Sequence, residues 1–182
     1  METTFNIQQQ IKRRFFAMRN GIVADTLRKG GAGYKIVFGL NLPQIVEISN
    51  EFPHDPALAE MLWHNDSTRE SLLLAPMLYP AELMDMATAM EWAGDVKEIE
   101  VADVLCHRLL RSLPYAVDIA RAFISDESPV KRYISLRLMM NLLPEYKEEA
   151  RCMAEREMAV SEPLTYRLCA MIKDEADFLD GV

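Results

Sequence analysis

The chain is predicted to be all-α, a superhelix of repeated helix pairs, and three observations carry that prediction. No segment alternates apolar and polar residues with period two over the length of a strand. Apolar residues recur instead at helical spacing, in runs separated by short polar breaks that contain Pro, Asp, Asn or Gly. The breaks are themselves periodic. Asp66, Asp95 and Asp126 stand 29 and 31 residues apart, and Ser161-Glu162-Pro163 follows some 35 residues after the last of them.

Each element has a local reason. Thr3 or Thr4 can cap a first helix running to about Arg19, with Phe5, Ile11, Phe15 and Met18 as its apolar stripe. Asn20-Gly21 interrupts it, and a short helix from Ile22 to Arg28 ends at Gly30-Gly31. The glycines from Gly30 to Gly33 are no phosphate loop, because they lack GxxxxGK[ST] spacing and follow no strand. Tyr34 to Leu42, YKIVFGLNL, is the one strand-like stretch, and Gly39 and Pro43 make it an extended linker. Pro43, at a first helical position, opens a helix with Ile45, Val46 and Ile48 inward, and Pro53 ends it. Helices are then expected from Pro56 to Trp63, from Thr68 to Leu78, and from Pro80 to a stop at Gly94. A long polar helix runs from Asp95 to Leu113, and others from Ala116 to Ser125 and from Ser128 to Leu143. Two more, from Pro144 to Met158 and from Pro163 to Phe178, complete the chain.

Helix pairs at intervals of 30 to 40 residues, without tetratricopeptide or ankyrin signatures, are the pattern of a HEAT-like α-solenoid. No such pair buries its apolar face alone; stacking creates the core. The sequence reads as a single domain over 1–182, with a basic N-terminal helix pair over 1–35 and stacked pairs over 55–178. The second helix of each pair would line the concave side. Early in those helices stand Arg69, Asp103, Arg132 and Arg167, a ladder that is basic except for one carboxylate. Helix N-termini beside it add positive dipole ends, which favour phosphate.

Composition bounds the function. Half of the residues are apolar, which excludes disorder. The net charge of −8 argues against a polyanion covering the whole surface. Residues 1–35 nevertheless hold seven Lys/Arg against two acids, a net +5, which leaves −13 on the remainder. That basic segment, Lys12 and Arg13 included, is either a local polyanion site or a solvated helix face. Cys106, Cys152 and Cys169 are odd in number and set among Leu, Met and Ala, which predicts buried reduced thiols. No zinc spacing exists, and neither metal nor cofactor is expected. No apolar run spans a bilayer, and the start lacks the apolar core of a signal peptide, so the expected location is cytoplasmic.

Glu100, Asp103, His107 and Arg111 share one helical face at i, i+3, i+7 and i+11. Such a face suits a metal, an acid/base pair, or a plain polar surface with an Asp103–His107 contact. The third fits best, because no second His or carboxylate motif completes a site. The Met77, Met84, Met86 and Met90 run reads as core filler, Trp63 and Trp92 as core, and His54 and His64 as loop residues. No serine or cysteine stands in a nucleophile context.

Four stretches carry a further signal: YKIVFGLNLP (34–43), LWHNDSTRESLLLAPML (62–78), EIEVADVL (98–105) and SDESPVKRYISL (125–136). Together they resemble the AlkD-like DNA alkylation repair proteins, HEAT-like solenoids that include DNA glycosylases, over about residues 5 to 145. Active members carry a WDLVD-like run and a later LWLRR. IEVAD (99–103) matches the first and SPVKR (128–132) the second, with Ile99 and Pro129 where the family has tryptophan. The resemblance implies that Asp103 is the catalytic carboxylate and Arg132 a DNA-backbone contact. Lys131, Arg69, Arg167, Lys12 and Arg13 would help to hold duplex DNA. The implied reaction is hydrolysis of the N-glycosidic bond of cationic alkylated purines. The alternative is a catalytically inactive HEAT-like scaffold that binds protein or undamaged nucleic acid.

Overall fold

The computed structural model describes residues 4–181, with side chains from Asn6 onward. The caps expected of Thr3 or Thr4 and the core role of Phe5 lie outside what it describes. Among the described residues there are eleven α-helices, no strand, and one isolated β-bridge between Ile36 and Thr68. The chain divides into two compact units, Met1–Met84 and Asp85–Val182.

The first unit contains α1 (Thr4–Ala17), α2 (Gly21–Lys29), α3 (Leu42–Ser49), α4 (Pro56–Trp63) and α5 (Arg69–Leu78). The boundaries follow side-chain caps. Asn20 accepts from the Ile22 and Val23 amides, Asn41 forms a capping box with Gln44, and Asp55 accepts from Leu58 N. α3 and α4 pack on α5, and α1 packs on α4. Ile11, Phe15, Ile45, Ile48, Leu58, Leu62 and Leu74 are buried in this core.

The 34–41 segment is the extended linker the sequence suggests, and Glu70 holds it. Glu70 Oε1 accepts from Gly39 N at 2.9 Å, Leu40 N at 3.3 Å and Arg69 Nη1 at 2.9 Å, while Oε2 accepts from Phe38 N at 3.1 Å. A buried carboxylate thus satisfies amides that a strand partner would otherwise take. Gly39 is required where it stands. Its φ is +80°, and an added Cβ would lie 2.2 Å from Asn20 O and 2.7 Å from Ala24 N. Gly39→Ala should therefore cost at least about 2 kcal/mol, from left-handed strain and backbone overlap together. Chemical denaturation measures it, and a loss below about 0.5 kcal/mol would contradict the close approach of α2 to the linker.

The second unit contains α6 (Met86–Asp95), α7 (Ile99–Arg108), α8 (Ala116–Phe123), α9 (Pro129–Asn141), α10 (Leu143–Val160) and α11 (Pro163–Asp180). α9 is its central helix, packed against α7, α8, α10 and α11. Ile134, Ser135, Leu136, Leu138 and Met139 are buried along it, so apolar surface surrounds it on most sides. Consecutive pairing of α4 with α5, α8 with α9 and α10 with α11 makes the architecture an all-α helical repeat.

Two helices are shorter than expected. Pro80 opens only a 3-10 turn, Ala81–Leu83, because the Asp85 side chain accepts from Thr88 N at 2.7 Å and caps a new helix. The long polar helix stops at Arg108, and Leu110–Ser112 forms a 3-10 turn ahead of Pro114. Arg111 therefore sits on that turn and not on α7. Cys106 and Cys169 are buried, but Cys152 is exposed on α10, whose polar flank it shares with Glu155 and Arg156. Trp63 and Trp92 belong to the core, whereas Met86 is exposed. No helix is long and apolar enough to cross a membrane among the described residues.

Candidate functional site

Asp103 lies at the half-exposed edge of α7. Val101, Ala102, Val104, Leu105 and Cys106 are buried around it, so helical spacing turns Asp103, and His107 one turn later, away from the core. Packing of α7 on α9 brings two side chains to the carboxylate. Tyr133 donates its hydroxyl to Asp103 Oδ1 at 2.9 Å, and Arg137 Nε lies 3.0 Å from the same oxygen. The Arg137 contact is an ion pair without hydrogen-bond alignment, since Nε has no hydrogen-bond acceptor. Among the described residues Oδ2 accepts no hydrogen bond, and the side chain is 37% exposed. The result is a carboxylate hydrogen-bonded through one oxygen and partly open to solvent.

The neighbours are tuned to keep this arrangement. Burial, and then the charge of Asp103, pushes the Tyr133 phenol well above its usual range, so it stays protonated and donates. Burial and Asp103 likewise push the Cys106 thiol far up, and its Sγ faces Ile134 O at 3.7 Å. Cys106 is inert as a nucleophile.

His107 borders the site. Its Nδ1 lies 3.3 Å from Arg111 Nη1, and Asn141 hydrogen-bonds the ring. Burial and the charges of Arg111, Arg108 and Arg137 hold the imidazole below its ordinary range, against the opposing Asn141 hydrogen bond. Folding thus favours the neutral ring. Below about pH 6.5 the unfolded chain takes up a proton that the folded ring resists. The stability present above that pH is accordingly lost as pH falls through the folded value. The thermal stability of the wild type should weaken as pH falls below about 6.5, and His107→Gln should remove part of that dependence. Superimposable pH profiles would contradict the ring's environment.

The arginine ladder expected from spacing is not what the fold builds. Arg69 is 3% exposed and interior, with Nη1 donating to Leu40 O at 3.0 Å and to Glu70. The first residue of α5 must enter the core here, because the linker crosses it. Arg132, 12% exposed, donates Nε to both oxygens of Glu157 at 3.0 Å and Nη1 to the Asp126 and Glu127 carbonyls at 2.9 and 3.0 Å. Thr165 also donates to Glu157, at 2.8 Å, so Arg132 ties the start of α9 to α10 and α11. Lys131 Nζ pairs with Asp126 at 3.2 Å and stands over the Phe123 ring. Arg167 is exposed on α11. Lys12 and Arg13 are exposed on α1, where they line a cleft of about 680 Å³ with Phe15, Phe38, Asn65 and Ser71.

Tyr133, Arg137 and Asn141, at i, i+4 and i+8 on α9, are the site residues that sequence reasoning missed. Their spacing was the available signal: they form one helical stripe starting a turn after Pro129.

The fold is an all-α helical repeat. The family model described as DNA alkylation repair enzyme matches residues 11–163, and the chain belongs to that family. No curated protein and no solved structure matches it.

Proposed function

We propose that the protein recognises alkylated duplex DNA and excises cationic N-alkylpurines by hydrolysing the N-glycosidic bond, with Asp103 as the catalytic carboxylate. The observation that carries this reading is a half-exposed Asp103 carboxylate, partly open to solvent, whose Oδ1 is anchored by Tyr133 and Arg137. Alkylation at N3 or N7 makes a purine cationic and a good leaving group. The C1′–N bond breaks with its electron pair going to the base, which departs neutral. Positive charge develops on the sugar, and a fixed carboxylate stabilises it without reorganising. Water then adds at C1′ and releases a proton to solvent. Membership of the alkylation repair family and the match of IEVAD (99–103) to the family's acidic motif support the assignment. Lys131, Arg167, Lys12 and Arg13 would contribute phosphate contacts, and Arg69 and Arg132 would act through the segments they brace.

One observation favours a second reading. Ile99 and Pro129 stand where the resemblance places tryptophan, and cation–π attraction from such rings is worth about 0.5–2 kcal/mol each. Without it, the chain would be a binding protein that holds DNA or a protein partner and cuts nothing. Incubation with methylated duplex separates the two: release of methylpurine above the spontaneous rate supports excision. Binding without release supports the second reading.

A further inference from the structure

Among the described residues α1 and α11 are the first and last helices, and each buries one side only. Ile11 and Phe15 bury one side of α1, while Leu168, Cys169, Ile172 and Ala176 bury one side of α11. The outward sides carry a matching pattern. α1 presents Gln9, Lys12, Arg13 and Phe16, all exposed, with Phe16 57% accessible. At the same helical spacing α11 presents Met171, Asp174, Glu175 and Phe178, all exposed, with Phe178 73% accessible. Among the described residues Lys12 and Arg13 form no ion pair, and neither do Asp174 and Glu175. Charges nearby are answered within the chain: Arg14 meets Glu47 and Glu51, and Arg151 meets Asp177 and Asp180.

A terminal helix of a repeat array stays soluble by turning a polar face to water. These two instead set a pair of unanswered like charges beside a large exposed apolar side chain. We infer that the outward face of α11 docks on the outward face of α1 of a second copy of this chain. Both faces run i, i+3, i+4 and i+7, with the charges at i+3 and i+4 and phenylalanine at i+7. Laid antiparallel, Arg13 meets Asp174, Lys12 meets Glu175, and Phe16 covers Met171. Parallel packing keeps opposite charges together as well. Pairing α1 with α1, or α11 with α11, would instead gather four like charges. The two faces differ, so the contact is heterologous. Burying Met171 and Phe178 supplies attraction, and the charges select the partner face. A contact of one helix on another is smaller than a stable dimer interface, so the association is weak. Lys12 and Arg13 serve one partner at a time, and a duplex that uses them would displace the second copy. The inference rests on neither DNA binding nor excision.

The test is sedimentation velocity at low salt, without nucleic acid, from about 10 µM to about 1 mM protein. The weight-average mass of the wild type should rise with concentration and fall back as salt is added. Lys12→Glu/Arg13→Glu should associate at least about tenfold more weakly, and so should Asp174→Lys/Glu175→Lys, because each then carries two like faces. All four sites are exposed, so both variants should fold as the wild type does. Mixed in equal amounts, the two variants should associate again, since one has two acidic faces and the other two basic ones. That recovery would not follow from a folding defect. A wild type that stays monomeric at every concentration would overturn the contact. So would wild-type association in either variant alone, or a mixture that remains monomeric.

Discussion

Glu70→Ala should destabilise the chain by about 3–5 kcal/mol, the largest stability loss expected of any single substitution considered. The carboxylate is wholly buried and collects four donors: the amides of Phe38, Gly39 and Leu40 and the guanidinium of Arg69. Removing it orphans the three amides together and takes away the carboxylate that meets the interior charge of Arg69. Against a typical total stability of about 5–15 kcal/mol, this loss is a large fraction. Glu70→Gln keeps one acceptor and should cost less. Urea unfolding gives the magnitude, and hydrogen exchange should show loss of protection at Phe38, Gly39 and Leu40. A cost below about 1 kcal/mol would mean that the linker is held by something other than Glu70.

Asp103→Asn should reduce methylpurine release by about a hundredfold or more, in line with removing a fixed charge aimed at a developing one. The substitution is nearly isosteric and keeps an oxygen for Tyr133. It removes the negative charge that meets Arg137 and would meet the sugar cation. Duplex binding should hold or improve, because a charge repelling phosphate is gone. Loss of rate with binding retained is therefore the signature. Equal loss of both would point to a folding defect, which circular dichroism would reveal.

The fold was largely legible because its signals are local. Pro56 and Pro43 mark helix starts by chemistry that acts within four residues, and α4 matches its expected span. Failures came where tertiary contacts or competing caps decide. Asp85 cuts short the helix that Pro80 opens, and α7 ends at Arg108, where Leu109 leaves the helical conformation. The position of Asp103 at the polar edge of α7 was legible from helical spacing. The arginine ladder was misread because an arginine's position in a helix does not say whether a buried carboxylate awaits it. Glu70 and Glu157 come from distant parts of the chain, and no periodicity announces them. Tyr133 and Arg137 were missed for the converse reason: an aromatic and a base on a central helix look like packing until α7 is laid beside them.

The most direct test of the account is single-turnover release of methylated purine bases from alkylated duplex, with wild type and Asp103→Asn assayed side by side. Release by the wild type should stand well above the spontaneous background, and release by the variant near background despite retained binding. Wild-type release no faster than background, or equal release by the two proteins, would contradict Asp103-dependent excision.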